Sequence, residues 1–234
     1  SCLVGSEMCI RDSWSTCLFH AFEDPQMPEL EVFMTPMIVE ENLNKGQYEK
    51  TPLLKKFGRN LLVRGRKVAK PGVQIDINQE RPKSHGTVRL RNSDPREYPL
   101  IDPNYFSDPE DLEQLVKGVG VMREIMTQNE ISQYINKEIH PWLNANTRSE
   151  IIEAIKITAY TGHHPCSTAK MGAKNDPMAV LDENLKVRGL NGLRVCDASA
   201  MPTQITGNLY ATVLAMAEKA ADIILDKPPL KENL

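Results

Sequence analysis

The sequence predicts an α+β fold: an antiparallel sheet with helices laid over one face. Three observations carry that reading. Residues 73–77 and 87–91 alternate apolar and polar side chains, as half-buried strands do. Residues 109–128 show an apolar stripe at the helical period. A second helix, at 149–160, opens on the reciprocal pattern of Thr147 and Glu150, a capping box.

Residues 1–13 have no initiating Met, no long apolar core of a signal peptide, and neither helical nor strand periodicity. They resemble a translated adapter and are read as a non-native leader, so that the chain starts inside a longer protein. Residues 31–39 read as a strand broken by Pro36, hence an edge or bulged strand. Residues 40–50, with Asn42, Asn44 and Gly46, read as a loop. Seven Lys or Arg residues fall between 55 and 70 around Leu61, Leu62 and Val63, and are read as a solvated face in preference to a phosphate-binding patch. In the two alternating segments Val73, Ile75 and Ile77 share one face; Val88 and Leu90 face inward, with Arg89 and Arg91 outward. Gly86 and residues 81–84 supply a turn, so these two strands are expected to pair antiparallel.

The stripe of the long helix comprises Leu112, Leu115, Val116, Val119, Met122, Ile125 and Met126. Ser107 or Asp108 caps it, Pro109 suits its first turn, and Glu110 and Asp111 favour the positive end of its dipole. Gly118 and Gly120 mimic a dinucleotide fingerprint, but the third glycine and the preceding strand are missing. Residues 185–187 and 193–196 are expected as short strands around a turn at 189–192. The last helix, about 209–225, is apolar on most of its surface and is expected to be buried on several sides. Residues 226–234 are expected as an exposed tail.

Composition is that of an ordinary globular protein: 234 residues, 41% hydrophobic, 25% charged, net charge −3. Nothing in that balance points to nucleic acid. The longest nearly apolar run, 209–217, is short of the roughly 18–20 residues of a membrane span. Five cysteines show no CxxC pair and no zinc spacing, so neither a disulfide framework nor a metal site is expected, and Cys166 and Cys196 are read as small buried residues.

The chemistry concentrates in two stretches. His20, His85 and His140 are read as structural or surface residues. His164 differs: Pro165 fixes the backbone beside it, and the small residues Cys166, Ser167 and Thr168 leave space for a ligand. Asn208, after Thr206 and Gly207, stands where a helix N-cap is expected. A helix N-terminus at a cavity would offer N–H groups and a partial positive charge to an anion. Small residues from Asp197 to Pro202 lead into that position and allow close backbone approach.

His164-Pro165-Cys166-Ser167-Thr168-Ala169-Lys170-Met171-Gly172, residues 192–202 and Thr206-Gly207-Asn208 resemble the C-terminal signature of the glucose–methanol–choline (GMC) flavin oxidoreductases. So do residues 81–90 with Asp102-Pro103-Asn104-Tyr105, and the similarity covers most of 28–225 in the right order. Its flavour is that of the insect glucose-dehydrogenase-like branch, which includes ecdysone oxidases. The resemblance implies an FAD-dependent oxidation of an alcohol (sugar, steroid or other CH–OH donor), with His164 taking or holding the hydroxyl proton while hydride passes to flavin N5. Asn208 would hydrogen-bond the substrate oxygen. Asp197 and Ala198 would lie against the cofactor through their backbone, the helix opening at Leu209 and Tyr210 would face the flavin N1/O2 edge, and His163, at a usually aromatic position, would pack near the flavin.

Two departures stand out. Cys166-Ser167 replaces a small-apolar-then-glycine pair, and Tyr210 and Thr212 stand where the family usually has Asn and Pro. The Gly-rich FAD-binding strand and turn are not in this sequence. The resemblance therefore implies a partial substrate-binding domain at 14–160 and, at 161–225, a segment returning to the FAD domain. On this reading the chain alone is inactive, the electron acceptor is unknown, and an extracellular location is favoured. The alternatives are a non-catalytic fragment or binding module, and a family-related lyase that keeps FAD as a structural group.

Overall fold

The computed structural model describes residues 16–35, 72–139 and 142–228. The leader, the loop at 40–50, the basic stretch at 55–70 and His140 lie outside them. The chain divides into two compact units. One takes in Arg11–Gln79 and Asp108–Thr161; the other joins Glu80–Ser107 to Gly162–Leu234. Residues 80–107 thus cluster with the C-terminal segment, although the sequence reading put them in one domain spanning 14–160.

The first unit is built on β1 (Thr16–His20), β2 (Leu30–Thr35) and β3 (Gln74–Gln79), antiparallel in the order β1-β2-β3. Thr16 pairs with Met34, and Leu30 with Gln79. β2 is central and carries Leu30 and Val32, each 1% exposed, into the core. It is therefore not an edge strand, the first of the two expectations; Pro36 lies outside the described residues. β3 pairs with β2, and not with the 87–91 segment as expected. That segment forms β4 (Thr87–Arg89) in the other unit, antiparallel to β5 (Leu100–Asp102). A three-residue hairpin has little room to bury a face, and Val88 and Leu90 are exposed instead of inward.

The helix α1 (Pro109–Met126) starts as its sequence dictates. The Asp108 side chain accepts the Glu110 N–H at 2.9 Å, and Pro109 fills the first turn. Gly118 has a packing reason. A Cβ built there would lie 2.7 Å from Leu30 Cδ1 and 3.2 Å from Ile77 Cγ2, so glycine lets α1 close on the sheet. Buried Asp111 accepts from Gln79 Nε2 at 3.0 Å, tying the first turn to the end of β3. A short helix α2 (Asn129–Ser132) follows. Helix α3 (Arg148–Thr158) begins on the expected capping box: Thr147 Oγ1 accepts the Glu150 N–H, and Glu150 Oε2 accepts the Thr147 N–H.

The second unit centres on buried Leu181, Leu185, Ala200 and Ala220, with Met171, Val187, Val195 and Met216 packed against them. The expected strands at 185–187 and 193–196 reduce to isolated bridges, Lys186 with Arg194 and Val187 with Leu181, across a turn where Gly189 and Gly192 adopt positive φ. Arg188 gathers the carbonyls of Gly172, Ala173 and Asp176. The last helix, α4 (Tyr210–Ile224), buries only Ala220 fully; Tyr210, Leu214 and Ile224 are exposed. It meets the core of its unit along one face and is not covered on several sides. Cys196 is exposed and Cys166 half-buried, so neither is the buried residue expected. Among the described residues no helix is long and apolar enough to cross a membrane.

Candidate active site

The loop carrying His164 is fixed on both sides by unusual backbone. His163 (φ 61°) and Ser167 (φ 68°) are left-handed non-glycine residues bracketing His164, Pro165 and Cys166. Strain of this kind clusters at functional sites. Only glycine adopts that φ without cost, so the serine at position 167 is held there by its surroundings. Three backbone hydrogen bonds then strap the loop to the next segment. Ser167 N–H donates to Ala198 O (3.2 Å), Ala169 N–H to Ser199 O (2.9 Å) and Met171 N–H to Ala200 O (2.8 Å).

The receiving segment is a single 3-10 turn, Ala198–Ala200. Asp197 caps it, its carboxylate accepting the backbone N–H of Ser199 at 2.8 Å and that residue's hydroxyl. Ala200 and Met201 are buried and anchor the turn in the core. His164 is half-buried. Burial, and secondarily the neighbouring His163, hold its imidazole below the ordinary histidine range. A neutral ring can accept a proton from a substrate.

Gly207 and Asn208 lead into α4. Gly207 is buried at φ 96°, and Asn208 is half-buried. Asn208 is not the helix cap expected from the sequence. The capping position falls to Leu209, already in a helical conformation, and no side chain caps the helix. The Leu209 side chain is buried while its carbonyl accepts the Val213 N–H at 2.9 Å; Tyr210 is exposed at the first helical position. His163, His164, Asp197, Ala198, Asn208, Leu209 and Tyr210 all fall in one compact unit. Sequence reasoning missed Glu80. It is 3% exposed, and its Oε2 accepts the Gly207 N–H. No local signal marks it, because its partner lies 127 residues away.

Among the described residues, no group of three His, Cys, Asp or Glu side chains converges as metal ligands. The residues present suit a flavin instead. The turn is made of Ala198, Ser199 and Ala200, small enough to let a ligand approach the backbone, and the capping residue of α4, Leu209, makes no side-chain hydrogen bond to its first N–H groups.

A model of the GMC oxidoreductase family matches residues 82–217. The chain belongs to the GMC oxidoreductase family. GMC oxidoreductases act on CH–OH groups with FAD, and the match takes in the C-terminal region. Among curated GMC relatives, choline oxidase of Arthrobacter globiformis is 40% identical over 170 residues, 72% of this chain and 31% of its own length. Mitochondrial choline dehydrogenase of Mus musculus is 39% identical over 160 residues, 68% of this chain and 27% of its own. The structure of pyridoxine 4-oxidase from Mesorbium loti superposes with a TM-score of 0.66 at 29% identity, covering 86% of this chain and 35% of that one. Formate oxidase of Aspergillus oryzae, whose FAD undergoes modification, gives a TM-score of 0.67 at 25% identity, covering 85% and 32%. The chain spans less than two fifths of the length of each.

Proposed function

We propose that this GMC segment supplies the proton-handling half of an FAD-dependent alcohol oxidoreductase, with His164 as the proton acceptor and Asn208 as the substrate-oxygen ligand. The observation that carries the reading is the setting of His164. It is half-buried, held as a neutral ring, locked between two left-handed residues and strapped to the turn at Ala198–Ala200. A general base needs that combination of a suitable pKa and a fixed position. FAD, when bound, supplies the acceptor for the hydride. His164 takes the hydroxyl proton at a ring nitrogen. The Asn208 amide holds the oxygen as charge grows on it, and the burial of both side chains limits water around them. When FAD is bound, Asp197 and Ala198 would hold the turn against it, Leu209 and Tyr210 would present the helix N-terminus to it, and His163 would pack beside it.

Within the family, the wording of the motifs supports the insect glucose-dehydrogenase-like branch and a sugar or steroid alcohol. The curated relatives quoted above act on choline, which makes a choline-type alcohol the competing substrate. The complete polypeptide carrying this segment, purified with FAD, is mixed anaerobically with choline, glucose and a steroid alcohol while absorbance near 450 nm (about the flavin maximum) is followed. One of the three is expected to bleach it, and His164→Ala and Asn208→Ala should each slow bleaching by roughly 100-fold or more. Unchanged bleaching in both variants would sink the assignment.

A further inference from the structure

Glu80 follows β3 directly and is almost fully buried. Burying a carboxylate is costly unless it is hydrogen-bonded, and here Oε2 takes the backbone N–H of Gly207. That N–H is itself buried and needs an acceptor. A carboxylate is a stronger acceptor for it than a neutral carbonyl. Gly207 sits at φ 96°, and because glycine has no Cβ to restrict its dihedrals, a hydrogen bond to its N–H narrows a wide range of backbone orientations to one. The residue that follows is Asn208, and α4 begins two residues later. A negative group close to the first turn of a helix is also favoured by the helix dipole.

We infer that Glu80 is a positioning residue: its buried carboxylate grips the Gly207 N–H and thereby fixes the direction in which the Asn208 amide is presented to the substrate oxygen. The inference rests on the role proposed above for Asn208. The role assigned to Glu80 is exerted through the Gly207 peptide, not by contact with the reacting atoms. The hydrogen bond between Glu80 and the Gly207 peptide reaches 127 residues along the sequence, and the backbone turn it holds is one that only glycine takes readily.

The test uses the complete FAD-loaded polypeptide with Glu80→Gln, Glu80→Asp and Glu80→Ala. Gln keeps an acceptor oxygen at the same reach, Asp draws it back, and Ala removes it. Two readouts are followed: hydrogen exchange at the Gly207 amide, and the limiting rate of flavin bleaching by the alcohol that reduces the wild type. Glu80→Ala should speed Gly207 exchange about tenfold or more and slow bleaching roughly 10–100-fold, with apparent substrate affinity changed less than about threefold. Glu80→Gln should restore most of both, and Glu80→Asp should fall between. Should Glu80→Ala fail to fold, the ordering Gln above Asp decides the matter alone. Combining Glu80→Ala or Glu80→Asp with Asn208→Ala should add less than about twofold to the Asn208→Ala defect, because both act through one group. Wild-type bleaching in Glu80→Ala, equal defects in Gln and Asp, or additive losses in the double variant would overturn the inference. If no alcohol bleaches the wild type, it is the oxidoreductase reading that fails, and Gly207 exchange still reports whether Glu80 holds that amide.

Discussion

At the scale of single residues, His164 and its neighbour make a pH prediction. Burial lowers the His164 pKa most, and His163 adds a smaller push in the same direction. In the role proposed for His164 the working form is the neutral ring, so activity would be full above the folded pKa and fall as pH drops through it. The rate of flavin bleaching by alcohol should therefore show an acidic limb with its midpoint below 6.5, the ordinary histidine value. His163→Gln removes the neighbouring charge but leaves the burial. Its limb should move to higher pH and stay below 6.5. A wild-type midpoint above 6.5, or a limb that does not move in His163→Gln, would contradict this account. Ser167 makes a related point about local cost. Its left-handed backbone is one a side chain occupies at about 1–2 kcal/mol, so the loop is held by its three straps and not by intrinsic preference.

At the scale of elements, two glycines on one helix should behave in opposite ways. A Cβ on Gly118 meets Leu30 and Ile77 of the sheet, whereas a Cβ on Gly120 meets nothing within 4 Å. Gly120→Ala should stabilise α1 by up to about 1 kcal/mol through helix propensity. Gly118→Val should destabilise by about 1–3 kcal/mol through overpacking. Thermal melts check both, and equal responses would remove the packing explanation for Gly118. These helices also show which features were legible beforehand. The Asp108 cap and the Thr147–Glu150 box were readable because each interaction spans two or three residues. β3 was given the wrong partner, because its pairing with 30–35 joins segments some forty residues apart and leaves no local mark; β1 lies close to 30–35 in sequence and was simply not foreseen. The site divides in the same way. His164 and Asn208 stand in motifs, while Glu80 is visible only once the chain has folded.

At the scale of the whole molecule, the disposition of apolar surface is the feature to explain. Helix α4 is apolar nearly all round, yet Tyr210, Leu214, Ile224 and the following Leu225 are exposed. In the same unit, the β4–β5 region exposes Val88, Leu90, Tyr98 and Ile101. Exposed apolar surface of this kind, when contiguous, marks a place where protein, membrane or ligand binds. On the function proposed above, the cover would be the part of a GMC enzyme that this chain does not match, each relative quoted being about three times the matched length. The 234-residue chain produced alone should accordingly bind a hydrophobic dye strongly and elute as aggregates. Leu214→Glu together with Ile224→Lys should reduce both effects while leaving the core of Leu181, Leu185, Ala200 and Ala220 untouched. In the complete polypeptide the same pair of substitutions should do the opposite. Each would place a charge against covering protein, at a cost of several kcal/mol, and FAD content and melting temperature should both fall. A 234-residue chain that is monomeric and dye-negative would mean that α4 is covered by its own chain, and the cover assigned to the rest of the enzyme would then be wrong.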